Sequence, residues 1–274
     1  MSQMFSSRQT RAASRRSMRF AGWVGVVAVV AGGLFGAPGA GLADQAAFDK
    51  TQQEAIGGIV KDYLMQHPDV IRDAMQELAR REQAAASDAK NAAIAQNADL
   101  LFNSQRQVVL GNPKGDVTIV EFFDYNCSYC KRAHADMMRL MEEDQNLRVV
   151  LKEFPVLGPG SIEAAQVAVV VHELAPDKYK AFHDELLMSR GPVDGARAIA
   201  VAADIGLDTQ AIKAKLQEPL VNQTLTESYN LAQALGIDGT PSYVLPGEVV
   251  VGAVGYDTLK DKIKSVRECG RASC

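Results

Sequence analysis

The chain has 274 residues, 47% apolar and 23% charged, an ordinary balance for a globular protein long enough to bury a core without covalent staples. Its charge is lopsided: residues 1–43 carry Arg8, Arg11, Arg15, Arg16 and Arg19 and no acid, leaving 24 basic against 33 acidic residues in the rest. An acidic body excludes an electrostatic footprint for nucleic acid, and four cysteines are too few for a disulfide-dense mini-protein.

The basic run gives way to an apolar stretch, Phe20 to Phe35, and then to small residues ending at Gly41-Leu42-Ala43. This order is that of a secretory signal, with cleavage expected after Ala43. The competing reading is an uncleaved anchor, for which the apolar stretch is short. Ser14-Arg15-Arg16 resembles half of a twin-arginine signal but lacks the Phe-Leu that usually follows. No other stretch has the length and apolarity of a membrane span. The expectation is export to the periplasm with no stable membrane anchor once the signal is removed, and every cysteine then stands in an oxidising compartment.

Residues 44–107 read as a helical arm. Ile56, Ile59, Val60, Tyr63 and Leu64 follow helical spacing, as do Val70, Ile71, Ala74, Met75 and Leu78 beyond a break at His67-Pro68. Pro68 suits the first turn of the second helix. A third stretch, Ala92 to Phe102, places Ile94, Ala98, Leu101 and Phe102 on one face, while Gly57-Gly58 and Ala84 to Ala86 weaken the helical pattern locally. Such narrow stripes need burial, either on the same chain or on copies of it; a homo-oligomer through residues 48–107 is expected.

After the turn at Asn112 to Asp116 the pattern changes. Val117 to Phe123 is an almost wholly apolar β-rich run, read as a buried central strand. A helix with Met137, Met138, Leu140 and Met141 and a second strand, Leu147 to Phe154, complete a βαβ unit. Helices are expected over 162–174, 179–188, 193–205, 209–216 and 219–235, punctuated by Gly191-Pro192, Gly206 and Gly236. Two short β runs (240–245 and 248–252) and a helix over 256–267 close an α/β body in which a βαβ half and a ββα half flank a helical insertion.

Cys127 and Cys130 sit at the strand-to-helix turn of the βαβ unit, a spacing that points to redox chemistry. Helix N-terminal N–H groups stabilise a thiolate at Cys127, and Cys130, one turn inward, is placed to resolve a mixed disulfide. A c-type haem would need His where Lys131 stands. A zinc site would need two further ligands; His134 offers one, but Cys269 and Cys274 are distant and oddly spaced. A passive staple is disfavoured by the two-residue spacer within a helix.

Three segments then resemble the DsbA-like thiol:disulfide oxidoreductases: Glu121 to Cys130 (EFFDYNCSYC), Lys152 to Gly158 (KEFPVLG) and Gly236 to Tyr243 (GIDGTPSY). Within that family, the added N-terminal helices resemble the ScsC and Com1-like branch. The resemblance covers residues 108–268 closely and 48–107 loosely. It implies a thioredoxin fold with a helical insertion over about 158–236, preceded by the N-terminal arm. It implies Cys127 as nucleophile and Cys130 as resolving thiol, with Thr240-Pro241 as a cis-proline loop lying against them and offering backbone to a substrate strand. Glu121 matches the family's buried acid and would exchange a proton with Cys130; the competing reading is an edge or interface glutamate. Ser128 and Tyr129 stand where strong oxidants carry Pro-His, so a less extreme oxidant is expected. Ser128 also suits a helix start, and Tyr129 is expected to be exposed and to touch substrate.

His134 is read as structural or solvated, His172 and His183 as surface residues, and Lys152 with Glu153 as a charge pair or rim. The tail, residues 269–274, holds Cys269 and Cys274, whose expected use is a local structural disulfide. The function expected is an exported thiol:disulfide interchange protein acting on cysteine-containing proteins with a membrane redox partner, without cofactor or resident metal. The arm favours isomerase or reductase over a dithiol oxidase. A periplasmic copper-binding protein is the rival of another class, since two reduced thiols suit Cu(I).

Overall fold

The computed structural model describes residues 48–274, so the expected signal segment lies outside the described residues. The chain divides into two compact units, one ending at Tyr63 and one running from Leu64 to Cys274. Helix α1 (Lys50–Gln66) runs across that boundary and exposes Ile56, Ile59 and Val60.

Helix α2 (Pro68–Gln96) starts on Pro68, whose missing N–H costs nothing in a first turn. It continues unbroken through Ala84 to Ala86, because alanine is the strongest helix former rather than a weak point. The break comes at Asn97, whose side chain donates to Ala93 O at 2.8 Å, before α3 (Ala98–Phe102). Val70, Ile71, Met75 and Leu78 are exposed on the first part of α2, whereas Ile94 at its end and Leu101 of α3 are buried.

Five strands form one sheet: β1 (Val108–Gly111), β2 (Val117–Phe123), β3 (Leu147–Glu153), β4 (Ser242–Leu245) and β5 (Glu248–Val251). Their order is β1-β3-β2-β4-β5. Strands β2 and β3 are parallel, joined by α4 (Ser128–Glu143), and every other pairing is antiparallel. Strand β2 is buried except at Thr118, as an apolar run in mid-sheet requires. Strand β1 was not foreseen: four residues at a sheet edge carry too little pattern to be told from a loop.

The two faces of the sheet hold different cores. Val120, Phe122, Val150 and Phe154 pack with Ile94, Leu101, Leu231 and Leu235 on one side. Ile119, Phe123, Val149 and Leu151 pack with Met137 and Leu140 of α4 and with the inserted helices on the other. The insertion comprises α5 (Pro159–Leu174), α6 (Pro176–Met188), α7 (Gly195–Asp204) and α8 (Thr209–Lys215), followed by the long α9 (Pro219–Leu235). Gly236, at φ 64°, ends α9 in the left-handed region and turns the chain towards β4. Helix α10 (Tyr256–Cys269) closes the fold. This is a thioredoxin fold carrying a helical insertion. In the tail Cys269 is bonded to Cys274, and the Ala272 between them is buried, its N–H donating to Pro246 O at 2.9 Å. No helix among the described residues is long and apolar enough to cross a membrane.

Candidate active site

Strand β2 delivers Asp124, Tyr125 and Asn126 to the mouth of the sheet, and the chain turns there into α4. The turn is fixed by Cys127 N donating to Asp124 O at 3.0 Å. Cys127 is the N-cap of α4, and its sulfur accepts from Cys130 N at 3.3 Å. A sulfur in this place takes the role an Asp or Ser oxygen usually plays at a helix start. The two cysteines are not bonded to each other and both are buried.

The Cys127 thiol is lowered from its ordinary value to about 5. The largest cause is its hydrogen bond with the Cys130 thiol. The Thr240 side chain and the backbone N–H groups of Cys130 and Tyr129 add to it, and burial opposes it. Cys130 moves the other way: the same bond and burial hold its proton on. One sulfur is therefore an anion at neutral pH and the other a thiol, the asymmetry that stepwise exchange needs.

The Thr240–Pro241 bond is cis, and the protonated Cys127 Sγ donates to Thr240 O at 3.1 Å. The loop after α9 thus lies against the first cysteine. Glu121, on β2 and paired across the sheet with Tyr243, is 5% exposed. Burial first, and the charge of Cys127 second, push its carboxyl up to about 8. It is neither an edge nor a surface glutamate. Ser128 and Tyr129 are exposed on the first turn of α4, with the Arg132 guanidinium 4.3 Å from the Tyr129 ring centre. The structure thus brings Cys127, Cys130, Glu121, Ser128, Tyr129, Thr240 and Pro241 to one place; Cys269 and Cys274 belong to the tail.

Several residues lie elsewhere than expected. His183 is buried, not on the surface: it stacks on Tyr179, meets Phe123 edge-on and lies 3.3 Å from Tyr125 OH through Nδ1. Burial lowers it to about 3, so it stays neutral. His134, by contrast, takes the structural one of its two readings: it is buried and faces Asp184 at 3.2 Å. Lys152 and Glu153 form neither a pair nor a rim, because strand neighbours point to opposite faces. Lys152 Nζ donates to Glu227 at 3.0 Å and to Leu100 O at 2.7 Å. Glu153 accepts from Tyr179 OH at 2.9 Å and Tyr125 OH at 3.3 Å. It also lines a cavity of about 220 Å³ with His172 and Arg106.

Sequence reasoning singled out neither Asp124 nor Asn126. Asp124 Oδ1 accepts from Asn126 N and Ser161 Oγ, both at 2.8 Å, and Oδ2 accepts from Val156 N at 2.9 Å and Leu157 N at 3.0 Å. Their one signal was two polar residues lodged between a buried strand and a cysteine pair, where solvent-facing polarity is not expected.

A model of the DsbA-like thioredoxin domain matches residues 118–264, and one of the copper resistance protein ScsC N-terminal domain matches residues 52–85. The chain belongs to the DsbA-like thiol:disulfide oxidoreductase family. A thioredoxin-like oxidoreductase from Silicibacter pomeroyi is 42% identical, with 63% of this chain and 99% of that one covered at a TM-score of 0.61. A Proteus mirabilis ScsC mutant with a linker deletion is 27% identical, with 82% and 99% covered at a TM-score of 0.63. Disulfide bond formation protein D of Bacillus subtilis is 27% identical over 168 residues, 58% of this chain and 76% of that protein. Na(+)/H(+) antiporter NhaA 1 of Salinispora arenicola is 26% identical over 162 residues. The chain spans only 24% of the antiporter's length, against 58% of its own. The likeness is thus to one part of a larger protein.

Proposed function

We propose that this chain is an exported thiol:disulfide interchange protein working through Cys127 and Cys130, with isomerisation or reduction of misoxidised clients favoured. The observation that carries this is the geometry at the start of α4, where two unbonded cysteines sit one turn apart, the first accepting from Cys130 N at 3.3 Å and lying against the cis Thr240–Pro241 loop, an arrangement that drives the two thiols in opposite directions. The Cys127 thiolate attacks one sulfur of a client disulfide. The client S–S bond breaks, its second sulfur leaves as a thiolate, and a mixed disulfide forms. Either that client thiolate attacks a different client disulfide bond and Cys127 is in the end released, or Cys130 resolves the intermediate. In the second case Cys130 gives up its proton and attacks Cys127. The client leaves as a dithiol, two electrons richer, and the pair is oxidised. Glu121 accepts that proton in its ionised form, which gains population once Cys127 is tied up in a mixed disulfide: the Cys127 charge is gone, and the smaller of the two causes holding Glu121 protonated goes with it. Thr240 offers backbone to the client strand, and Ser128 and Tyr129 form the exposed contact beside it.

The isomerase reading draws on the arm. Ile56, Ile59, Val60, Val70, Ile71, Met75 and Leu78 are exposed at helical spacing, and such stripes fit assembly of copies around a shared client. Ile94 and Leu101 are used within the chain, so assembly draws on the part of residues 48–107 before them. The second reading is a dithiol oxidase recharged by a membrane redox partner, which the low thiol value of Cys127 favours because it stabilises the reduced form.

Cys130→Ser decides whether the pair works on clients. It leaves the attacking sulfur and removes the resolving one, so mixed disulfides with cysteine-containing proteins should accumulate and collapse on adding reductant. No trapped client, with Cu(I) retained by the unaltered protein instead, overturns the reading in favour of the copper one. Rescue of scrambled ribonuclease by the mature chain, with an oligomeric mass in solution, separates isomerase from oxidase.

A further inference from the structure

We infer that Asp124, Tyr125 and Asn126 form a clasp by which the helical insertion sets the position of the Cys127 sulfur, Asn126 being the positioning residue nearest to it. The inference rests on Cys127 being the attacking thiol.

All three residues before Cys127 send their side chains to the insertion or to the segment leading into it. Asp124 reaches Ser161 Oγ on α5 and the N–H groups of Val156 and Leu157. Tyr125 OH lies 3.3 Å from both Tyr179 OH and His183 Nδ1 of α6. Asn126 bonds the main chain of Val193 in both directions: Val193 N donates to Oδ1 at 2.7 Å and Nδ2 donates to Val193 O at 2.8 Å. Its Nδ2 also donates to Ser161 Oγ at 2.9 Å. A side-chain amide paired this way replaces one rung of a strand ladder, so Asn126 docks the active-site turn onto the loop between α6 and α7. Helix α4 is fastened to the same region by Lys131 Nζ, which donates to Ser189 O at 2.9 Å.

The sulfur next in sequence depends on small distances. It must keep the N–H of Cys130 within reach at 3.3 Å, the bond that favours its anion. Hydrogen bonds to a thiolate weaken quickly with misalignment. Loosening the turn by a few tenths of an ångström therefore raises the thiol's pKa, and it slows attack by misplacing the sulfur against the client disulfide, while leaving the client surface in place.

The test is titration of the Cys127 thiolate by its ultraviolet absorbance in the reduced mature protein, with Cys127→Ser as the blank. Asn126→Ala should raise the midpoint by about one unit, with kcat for exchange on a disulfide peptide falling and KM staying within about twofold. Ser161→Ala alters only the insertion's side of the clasp and should move the midpoint the same way by a smaller amount. The double variant should move it by less than the sum, because the two act through one set of bonds. Midpoints unmoved in both single variants, with unfolding temperatures at the wild-type value, overturn the clasp. Should Asn126→Ala fail to fold, Ser161→Ala decides alone. A wild-type protein showing no titration above its Cys127→Ser blank overturns the attacking-thiol reading instead.

Discussion

Two buried groups at the site pull the stability of the reduced protein in opposite directions as pH rises. Cys127 is lowered from 9.0 to about 5, so its contribution is fully present above pH 9 and fades as pH falls through 5. Glu121 is raised from 4.5 to about 8, first by burial. The folded protein holds a proton that the unfolded chain has lost, so stability is intact below pH 4.5 and is lost as pH climbs through 8. Glu121→Gln removes that loss. Its reduced form is expected to be more stable than wild type at pH 8 by about 1–3 kcal/mol, with little change at pH 4. Urea unfolding at the two pH values checks this, and an equal gain at both would refute it. If Glu121 acts as proposed, the same variant should slow release of clients from the mixed disulfide, because Cys130 then lacks a proton acceptor; the single-turnover rate of the second step is the measurement.

Among the elements, α9 and β3 meet through a buried ionic contact. Lys152 Nζ lies 3.0 Å from Glu227, and Arg106 reaches the same carboxylate at 2.6 Å. Removing the acid leaves the Lys152 ammonium, 3% exposed, without its partner. Glu227→Ala is expected to destabilise the fold by about 3–5 kcal/mol, read as a loss of denaturation midpoint, while Arg106→Ala costs much less because Arg106 is partly solvated. The legibility of the sequence divides along this line. Strand β2 was visible because its β-branched and aromatic run admits one reading, and the strand-to-helix cysteine pair because spacing and place agree. What periodicity could not supply was which helix met which. His183 looked like a surface residue because an amphipathic stretch does not say whether its second face is also covered. Lys152 and Glu153 looked like a pair because adjacency in sequence hides the alternation of a strand. Asp124 and Asn126 stayed out of view for the same reason: their partners, Ser161 and Val193, are 37 and 67 residues away.

At the scale of the molecule, the tail and the arm make separable predictions. The Cys269–Cys274 bond holds Ala272 against the β4–β5 turn, and neither tail sulfur is bonded to the redox pair. Replacing both tail cysteines by serine should lower stability by about 2 kcal/mol, as expected for a short closed loop, and leave exchange rates unchanged. A matching fall in activity would give the tail a part in the chemistry. Deleting residues 44–85 should reduce the mass in solution to that of one chain while the Cys127 thiolate still titrates near its full-length midpoint; light scattering and absorbance read the two effects independently.

The clasp bears on modularity. A thioredoxin frame with helices inserted between β3 and β4 invites the idea that the insert could be excised, or swapped for that of a relative, with the redox motif left intact. Residues 124–126 forbid it here. Without Ser161, Tyr179, His183 and Val193, a buried carboxylate, a buried phenol and an amide would each lose partners at a cost of about 1–3 kcal/mol apiece. The segment that carries the cysteines is written in the vocabulary of its insert, so a transplant of either one must carry the other's contact residues with it.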